Sequence, residues 1–111
     1  NTHIAFNDPP ANFDTKESYI VVNLDEACRK QQMGEGWFET FDDVPKQAYT
    51  MGIKTIMQAK TVLVVVSGED KAQIVKDAFF GPVTPQVPAS ILQLHKDVIV
   101  IADEAAMSLV K

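Results

Sequence analysis

The chain predicts a layered α/β fold, a sheet flanked by helices. Three observations carry this. Residues 61–66 (TVLVVV) and Val98–Ala102 (VIVIA) are unbroken apolar runs, the pattern of strands covered on both sheet faces. Between them, residues 69–80 place Ile74, Val75, Ala78 and Phe79 on one helical face. Upstream, further strand-like and helix-like segments alternate, which builds layers of helix on sheet. At 111 residues the chain suits a single domain with a modest core.

Taken in order, residues 4–6 (IAF) form a short apolar run that reads as the end of a strand. Pro9, Pro10 and Asn12 turn it into a loop. Residues 18–24 (SYIVVNL) are rich in β-branched and aromatic side chains and read as a strand. Asp25 is placed to cap a helix over 26–33, which Gly34 and Gly36 end. Trp37, Phe38 and Phe41 form an aromatic patch, read as packing. Asp42 and Asp43 before Val44-Pro45 look like a helix start. Residues 47–59 suit either a helix or a short strand over 48–51 followed by a helix over 53–59. After the 61–66 strand, Ser67-Gly68 is a turn, the 69–80 helix follows, and Gly81-Pro82 stops it. A loop over 85–88, a short helix over 90–95, the strand Val98–Ala102 and a helix over 103–110 complete the chain.

Composition narrows the function classes. The hydrophobic share of 46% and charged share of 23% are those of a globular protein. A net charge of −5, from 15 acidic and 10 basic residues, argues against nucleic acid as a partner, since phosphate backbones reward clustered Lys and Arg. No apolar run within the chain approaches a membrane span, so no membrane partner is expected. The single cysteine, Cys28, cannot form an intrachain disulfide and fits a reducing cytoplasm. It reads as a buried filler of its helix. Two distant histidines and one cysteine offer no metal-ligand spacing, and no cofactor is expected.

Three groups of residues carry candidate chemistry. The first is His3 with Asp8. Imidazole titrates near neutral pH, and a carboxylate beside it holds its tautomer and raises its basicity. The same spacing also suits a surface histidine and an Asx-turn aspartate before proline. The second is Ser67-Gly68-Glu69-Asp70-Lys71-Ala72. There a buried strand enters a Gly turn and a helix start, where N–H groups and Lys71 attract anions. Glu69 and Asp70 are equally at home in an ordinary strand–turn–helix. The third is His95, whose place at a helix end is read as structural.

In collinear order, His3-Ile4-Ala5-Phe6-Asn7-Asp8-Pro9, residues 44–52 (VPKQAYTMG), residues 67–72 (SGEDKA) and residues 90–95 (SILQLH) resemble the signature segments of glucosamine-6-phosphate deaminases. Those read Asp-Gly-His-Ile-Ala-Phe-Asn-Glu-Pro, V-P-x-x-A-L-T-x-G, T-G-x-x-K-A and S-x-L-Q-L-H. The resemblance implies the glucosamine-6-phosphate deaminase and 6-phosphogluconolactonase superfamily with its Rossmann-like α/β fold. Because the first motif opens the chain, residues 1–111 are expected to be the C-terminal part of a single sugar-phosphate isomerase/deaminase domain, incomplete and inactive alone.

By this resemblance His3 is the acid/base that opens the sugar ring and Asp8 orients it. Asn1 stands where the family has a catalytic Asp. Lys71, with Gly68 in its turn, binds the substrate phosphate. Asn1 for Asp, Thr2 for Gly and Asp8 for Glu are departures from the family pattern. Asn1 in particular carries no charge to raise the basicity of His3. The implied partner is a phosphorylated amino sugar, glucosamine-6-phosphate or galactosamine-6-phosphate, in a homo-oligomer. The alternatives are a 6-phosphogluconolactonase-type hydrolase and a non-catalytic sugar-phosphate sensor.

Overall fold

The computed structural model describes residues 4–110. Its architecture is mixed α/β, with two small sheets and flanking helices. Strand β1 (Tyr19–Asn23) pairs antiparallel with β2 (Gln47–Met51), in a register running from Tyr19 opposite Met51 to Asn23 opposite Gln47. Strand β3 (Val62–Val66) pairs parallel with β4 (Val98–Ala102), from Val62 beside Val98 to Val66 beside Ala102. A parallel pair needs a crossover, and helix α3 (Ala72–Phe80) with a 3₁₀ segment over Pro88–Leu94 supplies it. Ala72, Val75 and Ala78 are the buried face of α3.

Helix α1 (Glu26–Gly34) begins as its sequence predicts. Asp25 Oδ1 accepts the Cys28 N–H at 2.7 Å, satisfying a donor that no helical carbonyl can reach. The loop after it is held from the helix. Arg29 Nη2 donates to the carbonyls of Phe41 and Val44 at 3.1 and 2.9 Å, and its guanidinium stacks 4.2 Å from the Phe41 ring centre.

Several elements differ from expectation. The helix start at Val44-Pro45 is absent. A short 3₁₀ turn, Phe41–Asp43, precedes extended chain that leads into β2, because Arg29 fixes the carbonyls there and β1 supplies a pairing edge. For residues 47–59 the strand-then-helix alternative holds, with α2 confined to Ile53–Ile56. The helix expected over 69–80 opens with a 3₁₀ turn, Glu69–Lys71, before α3, and the one over 90–95 is the 3₁₀ segment. The helix expected over 103–110 is a run of turns. Its bonds alternate between the wide span Met107 N–H to Asp103 O and the tight spans Ser108 to Ala105 and Val110 to Met107. Trp37 does not pack. It is 72% exposed, with its ring N–H on Glu35.

The covering of the parallel pair is one-sided. Leu63 beside Ile99 and Val65 beside Ile101 alternate with half-buried Val62, Val64 and Val66 and share one face of the pair, at 58, 48, 71 and 55% exposure. The core that joins the two halves is Ala11, Ile53 and Ile91, with Ile4, Phe13 and Met57 packed against it. The Ala11 N–H donates to Pro85 O at 2.9 Å, which ties the N-terminal segment to the loop after α3.

Candidate functional site

Asn1, Thr2 and His3 lie outside the described residues, so the site is built from Ile4 onward. The expected strand end over 4–6 is a tight turn instead. Ile4 bridges Asn7, whose N–H donates to Ile4 O at 2.9 Å, and Ala5 sits at φ 52°. Buried Asn7 is the fastener. Its Nδ2 donates to Ile4 O and to Met51 O, both at 2.9 Å, while the Phe6 N–H donates to Thr50 Oγ1 at 3.1 Å. Paired β-strand bonding cannot form across such a turn, and the side-chain amide takes over the job of attaching it to the end of β2. Asp8 follows directly, half-buried. It lines a cavity of about 360 Å³ with Asn12, Asn23, Asp25, Ile20 and Val22.

The second group lies at the end of β3. Gly68 has φ 96°, a left-handed conformation open to glycine, and a Cβ there would come 2.7 Å from Asp70 Oδ1. The turn brings half-buried Lys71 to the wall of a cavity of about 580 Å³, together with Ser67, Ile74, Leu92 and the residues of β3. Ile4 lines the same cavity. The residue next to His3 therefore faces the space that Lys71 borders. Asp8 borders the other cavity, on the far side of the Ala5-Phe6 turn.

The Gly68 N–H, expected to face an anion, is donated to Asp103, whose two carboxylate oxygens both lie 3.2 Å away. Asp103 was not among the sequence candidates. Its signal is an acid directly after an apolar strand, at the carboxyl end of a parallel pair, where α/β proteins bind ligands.

Cys28 is buried, as expected of a filler. Burial foremost, then the charges of Asp8, Asp25 and Glu35, push its thiol pKa up and keep it protonated. His95 is structural. Its Nδ1 accepts the Asp97 N–H at 3.0 Å, which leaves Nε2 to donate to Ala59 O at 2.6 Å, joining the turn after α2 to the approach to β4. Among the described residues no group of three or more His, Cys, Asp or Glu is placed to hold a metal ion, and no helix is long and apolar enough to cross a membrane.

The family model for glucosamine-6-phosphate isomerases/6-phosphogluconolactonase matches residues 26–101. The chain belongs to this family. A glucosamine-6-phosphate deaminase of Ligilactobacillus salivarius is 46% identical over the whole chain, which covers 46% of that protein. One from Exiguobacterium sibiricum is 49% identical over 98% of the chain and 42% of its own length. A third, from Lachnoclostridium phytofermentans, is 52% identical over 91% of the chain and 41% of its length. Among solved structures, a monomeric glucosamine-6-phosphate deaminase superimposes with a TM-score of 0.86 at 43% identity, over 98% of the chain and 44% of that protein. The α/β class expected of the family member is thus the fold observed. The chain spans less than half the length of these relatives. Membership and this share of length are what the comparisons support, and they do not bear out the finer expectation of a C-terminal part. Nor does the expected homo-oligomer gain support, since the structural relative is described as monomeric.

Proposed function

We propose that the full-length protein carrying this chain is an amino-sugar-phosphate deaminase/isomerase, which converts glucosamine-6-phosphate and water to a ketose phosphate and ammonia. The observation that carries this reading is the 46–52% identity to three glucosamine-6-phosphate deaminases over 91–100% of the chain. Residues 1–111 then form part of a single sugar-phosphate isomerase/deaminase domain, working in the cytoplasm.

Opening an aldose ring moves a proton from the anomeric hydroxyl to the ring oxygen. His3 performs this transfer, and Asp8 orients it. A proton then passes from C2 to C1 and leaves an iminium at C2; water adds there, the C–N bond breaks, and ammonia leaves as the C2 carbonyl forms. No step needs an external oxidant or reductant, so the reaction calls for no redox cofactor. Asn1 offers an amide where the family has a carboxylate. Lys71 holds the phosphate from the wall of the larger cavity, and Gly68 gives the turn its shape. Ile4, the sequence neighbour of His3, lines the same cavity as Lys71, which supports a shared site.

The test is ammonia release by the full-length protein on glucosamine-6-phosphate and on galactosamine-6-phosphate. Turnover of the first supports the reading, and turnover of the second alone changes the sugar. Hydrolysis of 6-phosphogluconolactone without ammonia release, or tight binding without turnover, overturns it.

A further inference from the structure

We propose that Asp103 is a positioning residue for phosphate binding, acting through the turn that carries Lys71. The inference rests on the assignment of Lys71 to the substrate phosphate.

Asp103 brackets the carboxyl ends of two parallel strands. Its backbone N–H donates to Val66 O at 3.3 Å, continuing the β3–β4 pairing by one bond. Its carboxylate accepts the Gly68 N–H through both oxygens at 3.2 Å. The Oδ1 atom also accepts the Ala106 N–H at 2.8 Å, which ties the carboxylate to a segment anchored by fully buried Ala106. Asp103 is itself exposed, so its carboxylate is held by these two backbone N–H donors and not by burial.

The held group is the pivot of the turn. Gly68 is the left-handed residue between β3 and the 3₁₀ turn, and Lys71 N–H donates to Gly68 O at 3.2 Å. Fixing the two faces of the Gly68 peptide environment therefore sets where Lys71 starts and which cavity its side chain borders. Because the Gly68 N–H is committed to Asp103, the turn does not offer this donor to a phosphate. Recognition falls on the Lys71 ammonium, and the carboxylate supports that ammonium through position, not contact. An anchored ammonium binds more tightly than one on a loose turn, because less conformational freedom is lost on binding.

The experiment uses the full-length protein with Asp103→Ala and Asp103→Asn, alone and combined with Lys71→Ala. Asn keeps one acceptor and the shape, so it covers the case in which Asp103→Ala does not fold. Binding of inorganic phosphate is read by calorimetry, independent of the reaction. Steady-state ammonia release gives KM and kcat. We expect Asp103→Ala to weaken phosphate binding and raise KM about tenfold, the equivalent of one charge-assisted hydrogen bond, with kcat changed less than about threefold. Asp103→Asn should restore part of the loss. In the Lys71→Ala background the Asp103 substitutions should have no further effect on phosphate binding. Unchanged phosphate binding in folded Asp103→Asn and Asp103→Ala proteins, or effects that simply add to that of Lys71→Ala, would overturn the proposal. Absence of ammonia release with the phosphate-binding pattern intact would sink the deaminase reading and leave this one standing.

Discussion

Asn7 offers the sharpest test of how the motif segment is held. It is 5% exposed, and its amide donates twice, to Ile4 O and Met51 O at 2.9 Å. Asn7→Ala removes both bonds. Ile4 O keeps the Asn7 backbone N–H, while Met51 O loses its side-chain donor. At about 0.5–1.5 kcal/mol per bond, with the added penalty of a poorly satisfied carbonyl, the loss should be roughly 2–3 kcal/mol of stability. Asn7→Asp has the same shape and no donors at neutral pH. It puts a buried charge against two carbonyl oxygens, which should cost about 3–5 kcal/mol. Burial and those oxygens raise the introduced carboxyl's folded pKa above its unfolded value. The variant's deficit should therefore be smallest below the unfolded pKa, where a protonated carboxyl can donate once. It should grow as pH rises through the folded pKa. Urea denaturation of the full-length protein, followed by circular dichroism at about pH 4 and pH 7, reads both effects. A cost under about 0.5 kcal/mol for Asn7→Ala, or an Asn7→Asp variant no less stable at pH 7 than Asn7→Ala, would refute the reasoning.

Other outcomes follow from the proposed site and from the fold. Lys71→Ala should raise KM for the phosphorylated sugar by about tenfold or more, the worth of a hydrogen bond to a charged group, and an unchanged KM would remove Lys71 from the site. His3→Gln should lower kcat by roughly 10²–10⁴-fold on cyclic substrate while sparing an analogue locked in the open form; equal impairment on both would mean that ring opening is not its role. Ala5→Gly should not destabilise the protein by more than about 1 kcal/mol. Relief of a left-handed alanine at φ 52° offsets the greater freedom of glycine in the unfolded chain, and thermal melting checks it. The 111-residue chain expressed alone should self-associate and lack activity, because Leu63, Val65, Ile99 and Ile101 present an apolar face. Val65→Lys should reduce the association in light scattering, and an active monomer would contradict both parts.

What the sequence by itself determined is local. The apolar runs of β3 and β4, the Asp25 cap, the Gly68 turn and the inner face of α3 each depend on a few adjacent residues, so periodicity and capping chemistry expose them. The ordered motifs went further and identified the family, because they are residues chosen by chemistry. The tertiary structure decided whatever depends on contacts between distant segments. Asn7 reaches Met51 across 44 positions, and no pattern near Asn7 announces its partner. Asp103 looks like a helix cap from its neighbours, yet its carboxylate is drawn 35 positions back to Gly68 by the parallel pairing of β3 and β4. The extended chain before β2 arose because Arg29 claimed the carbonyls of Phe41 and Val44. Which cavity Asp8 and Lys71 each border is announced by no local pattern and follows from the Ile4–Asn7 turn and the Gly68 turn. Local propensity sets which element a segment prefers, while hydrogen-bond partners and apolar cover come from wherever the fold brings them, and only their arrangement in space makes a site.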